Sequence, residues 1–184
     1  MEIDCIFEIV QDSLAAIKYK EDEKDCFDEC FSKWGDIEYL EKFFHQNESD
    51  LQDEFWNLSC EDAVLKVLEE AEQFKNNIID VAEKGNLDSH IFVPLHKNDI
   101  AIKRSESKAY GRVDRGAMLR LYAIRLGENV YVITGGAIKL TKQLQEREHT
   151  AQELKKLKYV ADYLKKLGID DDTDYGYLEF ANKN

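Results

Sequence analysis

No run of eighteen apolar residues occurs in this 184-residue chain, so no segment reads as a membrane span. The opening MEIDCIFEIVQDS is acidic where an export signal would be basic, and the expectation is a cytoplasmic protein without membrane contact. There is no G-x-G-x-x-G, no P-loop, no H-E-x-x-H and no G-x-S-x-G, so the common signatures of cofactor, phosphate, zinc and serine chemistry are missing. No cofactor is expected. The histidines His45, His90, His96 and His149 are scattered, and carboxylates are too abundant for any pair to stand out. Proline occurs once, at Pro94.

The four cysteines, Cys5, Cys26, Cys30 and Cys60, all lie in the first third. In a cytosolic chain they read as reduced, structural thiols. The other reading is a metal pair in CFDEC, where helical spacing puts Cys26 and Cys30 on one face, completed by His45 or Cys60. That second pair lacks a tight zinc-site spacing.

What is present points to a folded chain. Hydrophobic residues make up 43% and aromatic residues 11%, which disordered chains lack. This length buries one core, or one core with an extension. The net charge of −13 is unevenly divided. Residues 1–88 hold 8 Lys/Arg against 25 Asp/Glu, residues 89–169 hold 16 against 8, and residues 170–184 hold 1 against 5. Either the basic part meets a polyanion that the acidic part repels or covers, or oppositely charged faces pack together within one domain.

CIFEIV and SLAAIKY read as a strand pair. From Glu23 to about Gln46 the apolar spacing is helical, with Gly35 separating two short helices. A longer helix opens at Ser59, an N-cap followed by Glu61 and Asp62, and carries the stripe Val64, Val67, Leu68, Ala71, Phe74, Ile78 and Val81 to a stop at Gly85. IFVPL reads as a short edge strand, and KRSESKAYGRVDRGA as an exposed, mobile basic loop. MLRLYAIRL and NVYVITG form a hairpin through Gly127, Glu128 and Asn129, with AIKL as one more strand after Gly135-Gly136. TAQE is a capping box with Thr150 at the N-cap and Glu153 at its third position. It opens a helix lined by Leu154, Leu157, Val160, Ala161, Leu164 and Leu167 and closed by Gly168-Ile169. The acidic tail reads as solvated or loosely docked. The expected class is α+β: a helical N-terminal region (1–88) beginning with a short strand pair, a small antiparallel sheet packed on helices (89–169), and a tail (170–184). In this reading either one core runs through all of it or the parts stand separately.

The chemistry-bearing candidates are in the basic strip. Arg120 shares a strand face with Tyr122, Arg125 points the other way, and Lys139, Lys142, Arg147 and His149 follow. Such cations neutralise phosphates and Tyr rings stack on unpaired bases, which points to RNA; arginines at this spacing also occur in ordinary salt-bridged sheets. Gly135-Gly136 would expose backbone N–H groups to a phosphate.

LYAIR, the hairpin after it, GAIKLTK and the final basic helix resemble the RelE/ParE toxin superfamily, in its HigB-like, phage-derived branch, over about residues 118–168. The full chain also resembles a group of Bacteroidetes proteins carrying this C-terminal module. On that likeness Arg125 falls on the family's arginine, and Gly136, Lys139 and Thr141 on its glycine, first lysine and threonine. The resemblance implies a RelE-like sheet packed on helices and a ribosome-dependent mRNA interferase (an endoribonuclease) held in check by an antitoxin. Arg125, Lys139 and His149 would be catalytic. Arg120, Tyr122, Tyr131, Lys142 and Arg147 would contact RNA, without a metal. Partners would be RNA or the ribosome and an antitoxin-like helix-turn-helix protein, and the acidic first half would serve as a built-in cover. Ala123 stands where the family has a glutamate, Leu140 where it has a second lysine, and Tyr131 or Val132 where an arginine is usual. These departures lead to the alternative of a non-catalytic RelE-fold module that docks such a protein partner.

Overall fold

A computed structural model describes residues 1–95, 105–111, 116–141, 147–169 and 171–181. The chain is α+β, with a six-stranded mixed sheet and helices packed on it. In chain order the elements are β1 (Ile3–Val10), β2 (Leu14–Tyr19), α1 (Cys26–Trp34), α2 (Ile37–Gln46), α3 (Glu48–Leu51), α4 (Cys60–Glu83) and α5 (Leu87–His90). Then come β3 (Phe92–Pro94), β4 (Ser105–Tyr110), β5 (Leu119–Gly127), β6 (Val130–Ile138), α6 (Glu148–Lys166) and a closing 3-10 turn (Asp172–Tyr177).

The strand order β1-β2-β6-β5-β4-β3 contains the expected antiparallel sheet as β6-β5-β4-β3 and extends it with the N-terminal strand pair, which makes the whole sheet mixed. The hairpin β1–β2 joins through a parallel pairing, Leu14 to Ala16 beside Tyr131 to Ile133. The physical reason is burial. β2 is apolar at nearly every position, so it suits an interior place between two neighbours. The first half thus supplies two strands of the sheet as well as helices packed on it. One apolar cluster takes Leu14, Phe27, Trp34, Phe44 and Phe74 from the first half and Leu121, Val132, Leu157 and Leu164 from the second.

Local signals explain the helices. Asp25 accepts from the N–H groups of Phe27 and Asp28 to open α1, Asp36 from Tyr39 to open α2, and Ser59 from Asp62 to open α4. Beyond α4, Gly85 takes φ +66°, and Asn86 N–H closes onto the Val81 carbonyl at 3.1 Å. The end of α6 repeats this, with Gly168 at φ +75° and Ile169 N–H on Leu164 at 3.0 Å.

Four sequence expectations need correction. SESKAY is strand β4, paired with β5 along its length, because alternate residues bury Ser107 and Ala109 against neighbours; its flanks, residues 103–104 and 112–115, lie outside the described residues. AIKL is not a new strand, since β6 runs through the glycine pair to Ile138, with Thr134 as an inserted bulge residue between Ile133↔Ala123 and Gly135↔Tyr122. Thr150 is not the N-cap of α6. The helix begins at Glu148, after Arg147 is tied down by Asp50, and Thr150 Oγ1 donates back to the Arg147 carbonyl at 2.9 Å. The tail is docked: Tyr175 and Leu178 are buried, and Ala181 N–H donates to the Ile6 carbonyl at 2.8 Å.

Candidate functional site

At the hairpin end of the sheet, Asp88 of α5 gathers two of the sequence candidates. Arg125 Nε lies 3.0 Å from Asp88 Oδ1 and its Nη2 lies 2.7 Å from Oδ2, a bidentate pair. Tyr131, directly across the ladder from Arg125, donates its hydroxyl to the same Oδ1 at 2.5 Å. Its ring stacks on Phe92, with centroids 4.2 Å apart. Burial works against the charge on Asp88, but the bonds from Arg125 and Tyr131 outweigh it and hold the carboxyl below its usual value. This arrangement clamps α5 to the sheet. Tyr131 is buried, so its stacking partner is Phe92 and not an incoming base.

Tyr122 is also fully buried, with its hydroxyl lacking a partner, so its ring offers no face to a base at the surface. Arg147 spans to Asp50, bonding through Nε at 2.8 Å and through Nη2 as well. His149 donates from Nε2 to the Ile138 carbonyl at 2.9 Å and sets its ring edge-on to Phe43. That bond places the donor proton on Nε2. Lys142 lies outside the described residues.

Two candidates do meet. Arg120 and Lys139 line one groove of about 550 Å³ together with Phe55 and Trp56. Arg120 donates Nη1 to the carbonyls of Ala117 (2.9 Å) and Leu119 (2.6 Å), and its guanidinium lies 4.0 Å from the centroid of the Tyr110 ring. Trp56 is anchored by Nε1 donating to the Leu140 carbonyl at 2.7 Å, and Phe55 packs edge-on against it while remaining 59% exposed. Asp50 and Asp53 also border the groove, the former paired with Arg147.

A second polar centre escaped the sequence reading. Glu153, taken there for a capping residue, is buried on α6 against β6. Its Oε1 pairs with Lys156 at 2.8 Å, and its Oε2 has no partner. A Cβ on Gly135 would stand 2.0 Å from that oxygen, so the glycine serves to admit the carboxylate. Gly136 is equally confined, lying against the Arg120 carbonyl and Trp34. Burial raises the Glu153 carboxyl and Lys156 pulls it back only in part. The neighbouring thiols Cys26 and Cys30 are buried and pushed up by desolvation, which makes them poor nucleophiles. Cys26 Sγ donates to the Ile133 carbonyl at 3.2 Å.

Glu70 is the other missed acid. Fully buried on α4, it accepts from the N–H groups of Met118 at 3.1 Å and Leu119 at 2.9 Å and fastens the start of β5. A signal for both acids exists in the spacing. Glu70 falls on the stripe of Ala63, Val67 and Phe74, and Glu153 on that of Leu157, Val160 and Leu164. An acid in register with a buried stripe marks an internal polar contact.

Among the described residues, no cluster of three or more His, Cys, Asp or Glu has the arrangement to hold a metal ion, and no helix is long and apolar enough to cross a membrane. The fold and these sites define an α+β protein with a mixed sheet, a cation-and-aromatic groove at one end and a buried carboxylate beside β6. Compared with protein-family models, curated proteins and solved structures, the chain matches none.

Proposed function

We propose that this chain is a toxin-like protein acting on RNA or on translation, and that the groove of Arg120, Lys139, Phe55 and Trp56 is its RNA-contacting surface. The observation that supports this reading is the meeting of two cations with two aromatic side chains in one open groove. Cations neutralise phosphates, and exposed rings stack on unpaired bases without needing a particular sequence. Charge in a phosphoryl-transfer transition state would be stabilised by Arg120 and Lys139, a role that preorganised cations fill without a strong acid or base. Arg125 then supports the fold through Asp88.

That same pair favours a second reading. The arginine corresponding to the family's own is closed into an internal contact with Asp88 and Tyr131. A binding module without catalysis, docking an antitoxin-like protein with a helix-turn-helix, accommodates this directly.

Induced expression of the full chain in a bacterial host separates the two, with growth, translation rate and mRNA 5′ ends followed over time. The first reading expects arrest with new mRNA ends, abolished by Lys139→Ala and Trp56→Ala. Full growth and unchanged mRNA from soluble, folded protein would sink it and leave the binding module.

A further inference from the structure

The groove of Arg120 and Lys139 is bordered by two acids, and they differ in what they can still accept. Asp50 gives both carboxylate oxygens to Arg147. Asp53 is exposed, and its Oδ1 accepts from the Phe55 N–H at 2.9 Å, while its Oδ2 takes no hydrogen bond among the described residues. The Asp53 carbonyl accepts from the N–H groups of Trp56 at 3.1 Å and Asn57 at 2.9 Å, and Asn57 turns the chain at φ +45°. Leu58 N–H closes the loop onto the Leu51 carbonyl at 3.2 Å, and Leu140 holds the Trp56 indole. One short turn therefore fixes an open carboxylate and an exposed ring, two residues apart, beside the same groove.

An acid in a groove that takes a polyanion repels phosphates, and it weakens binding unless it meets donors. Arg120 supplies the opposite character. Its Nη1 serves two carbonyls, but Nε and Nη2 have no hydrogen-bond partner among the described residues and are not fully buried. The groove thus offers donors at Arg120 and an acceptor at Asp53. Among the RNA bases, guanine alone sets two N–H donors side by side, N1–H and the 2-amino group, and a carboxylate accepts both. Adenine, cytosine and uracil each turn at least one acceptor lone pair toward such a group.

We propose that Asp53 selects an unpaired guanine. The base stacks on Phe55 and donates N1–H and N2–H to the Asp53 carboxylate, while Arg120 takes the phosphate. The other bases leave the carboxylate unpaired, and that is the source of discrimination. The assignment rests on the groove being an RNA surface and gives that surface its base preference.

Fluorescence anisotropy of the full chain with labelled octamers tests it, using uridine throughout or uridine with a central guanosine, inosine or adenosine. The guanosine octamer binds about tenfold tighter than the adenosine and all-uridine ones. Inosine, which lacks the 2-amino group, falls between. Asp53→Asn keeps the Oδ1 acceptor for Phe55 N–H and reduces the guanosine preference to about twofold or less. The inosine comparison, made on the unaltered chain, decides if that variant does not fold. Equal binding of all four octamers, or a guanosine preference untouched in folded Asp53→Asn, overturns the assignment and leaves the groove as an RNA surface. Binding of none overturns the RNA reading itself and the guanine assignment with it.

Discussion

At Asp88 one residue serves a guanidinium, a phenol and the turn of a hairpin. Arg125 and Tyr131 donate to its side chain, and its own N–H donates to Asn129 Oδ1 at 3.0 Å. Removing Arg125 leaves a half-buried carboxylate with Tyr131 as its remaining side-chain donor. Arg125→Ala is therefore expected to lose about 2 kcal/mol in urea unfolding, the scale of hydrogen bonds to a charged group. Adding Asp88→Ala should recover part of that loss; strictly additive losses would show that the pair is not coupled. The pH dependence has a definite sign. Because the folded carboxyl sits below its ordinary 3.8, its stabilisation is complete above that value and is lost as pH falls through the lower, folded one. Asp88→Asn should remove this component from the acid limb of a stability–pH curve and leave the neutral region's slope unchanged. Glu70 offers a second test. A Cβ on Gly111 would come 2.1 Å from Glu70 Oε1, so Gly111→Ala must dislodge a carboxylate holding two backbone donors. The expected cost is about 2 kcal/mol, with faster hydrogen exchange at the amides of Met118 and Leu119.

Among the elements, α4 and α6 show how end signals succeed or fail. Ser59 stands in extended backbone with φ −72° and ψ 164° and accepts from Asp62 at 3.0 Å, so the N-cap is real. Ser59→Ala should lower stability by about 1 kcal/mol by chemical denaturation, and Ser59→Asp should restore most of it. The same motif logic misread α6. Thr150 and Glu153 have the spacing of a capping box, but Arg147 reaches Asp50 and the helix starts earlier, turning Glu153 toward the sheet. Its buried face is accordingly rotated from the one expected, with Leu167 left 52% exposed and Glu153 covered. The strand pair, the hairpin and both glycine-closed helix ends were legible because each rests on neighbours a few residues apart.

For the molecule as a whole, the decisive contact is β2 beside β6, residues more than a hundred positions apart in the chain. It makes the sheet continuous from Ile3 to the edge strand holding Pro94. Cutting between residues 88 and 89 should therefore leave neither piece cooperatively folded alone. Mixing the two should restore the far-ultraviolet dichroism and one unfolding transition. A sharp transition from residues 89–184 alone would show that the basic half is an autonomous unit and that β2 is dispensable. The charge imbalance belongs to this scale too, since Arg147 of the basic half pairs with Asp50 of the acidic one, and Arg125 with Asp88. Part of the asymmetry that reads as a polyanion site is thus used inside the fold.

The α+β class, most of the strands and helices and the locations of several turns follow from the chain by itself, because periodicity, capping side chains and glycine conformations act locally. The parallel seam, the pairing of Arg125, the burial of Tyr122 and Glu153, and the meeting of Arg120 and Lys139 with Phe55 and Trp56 were decided only in three dimensions. Each depends on which distant surface removes a side chain from water, and no spacing along the chain carries that information.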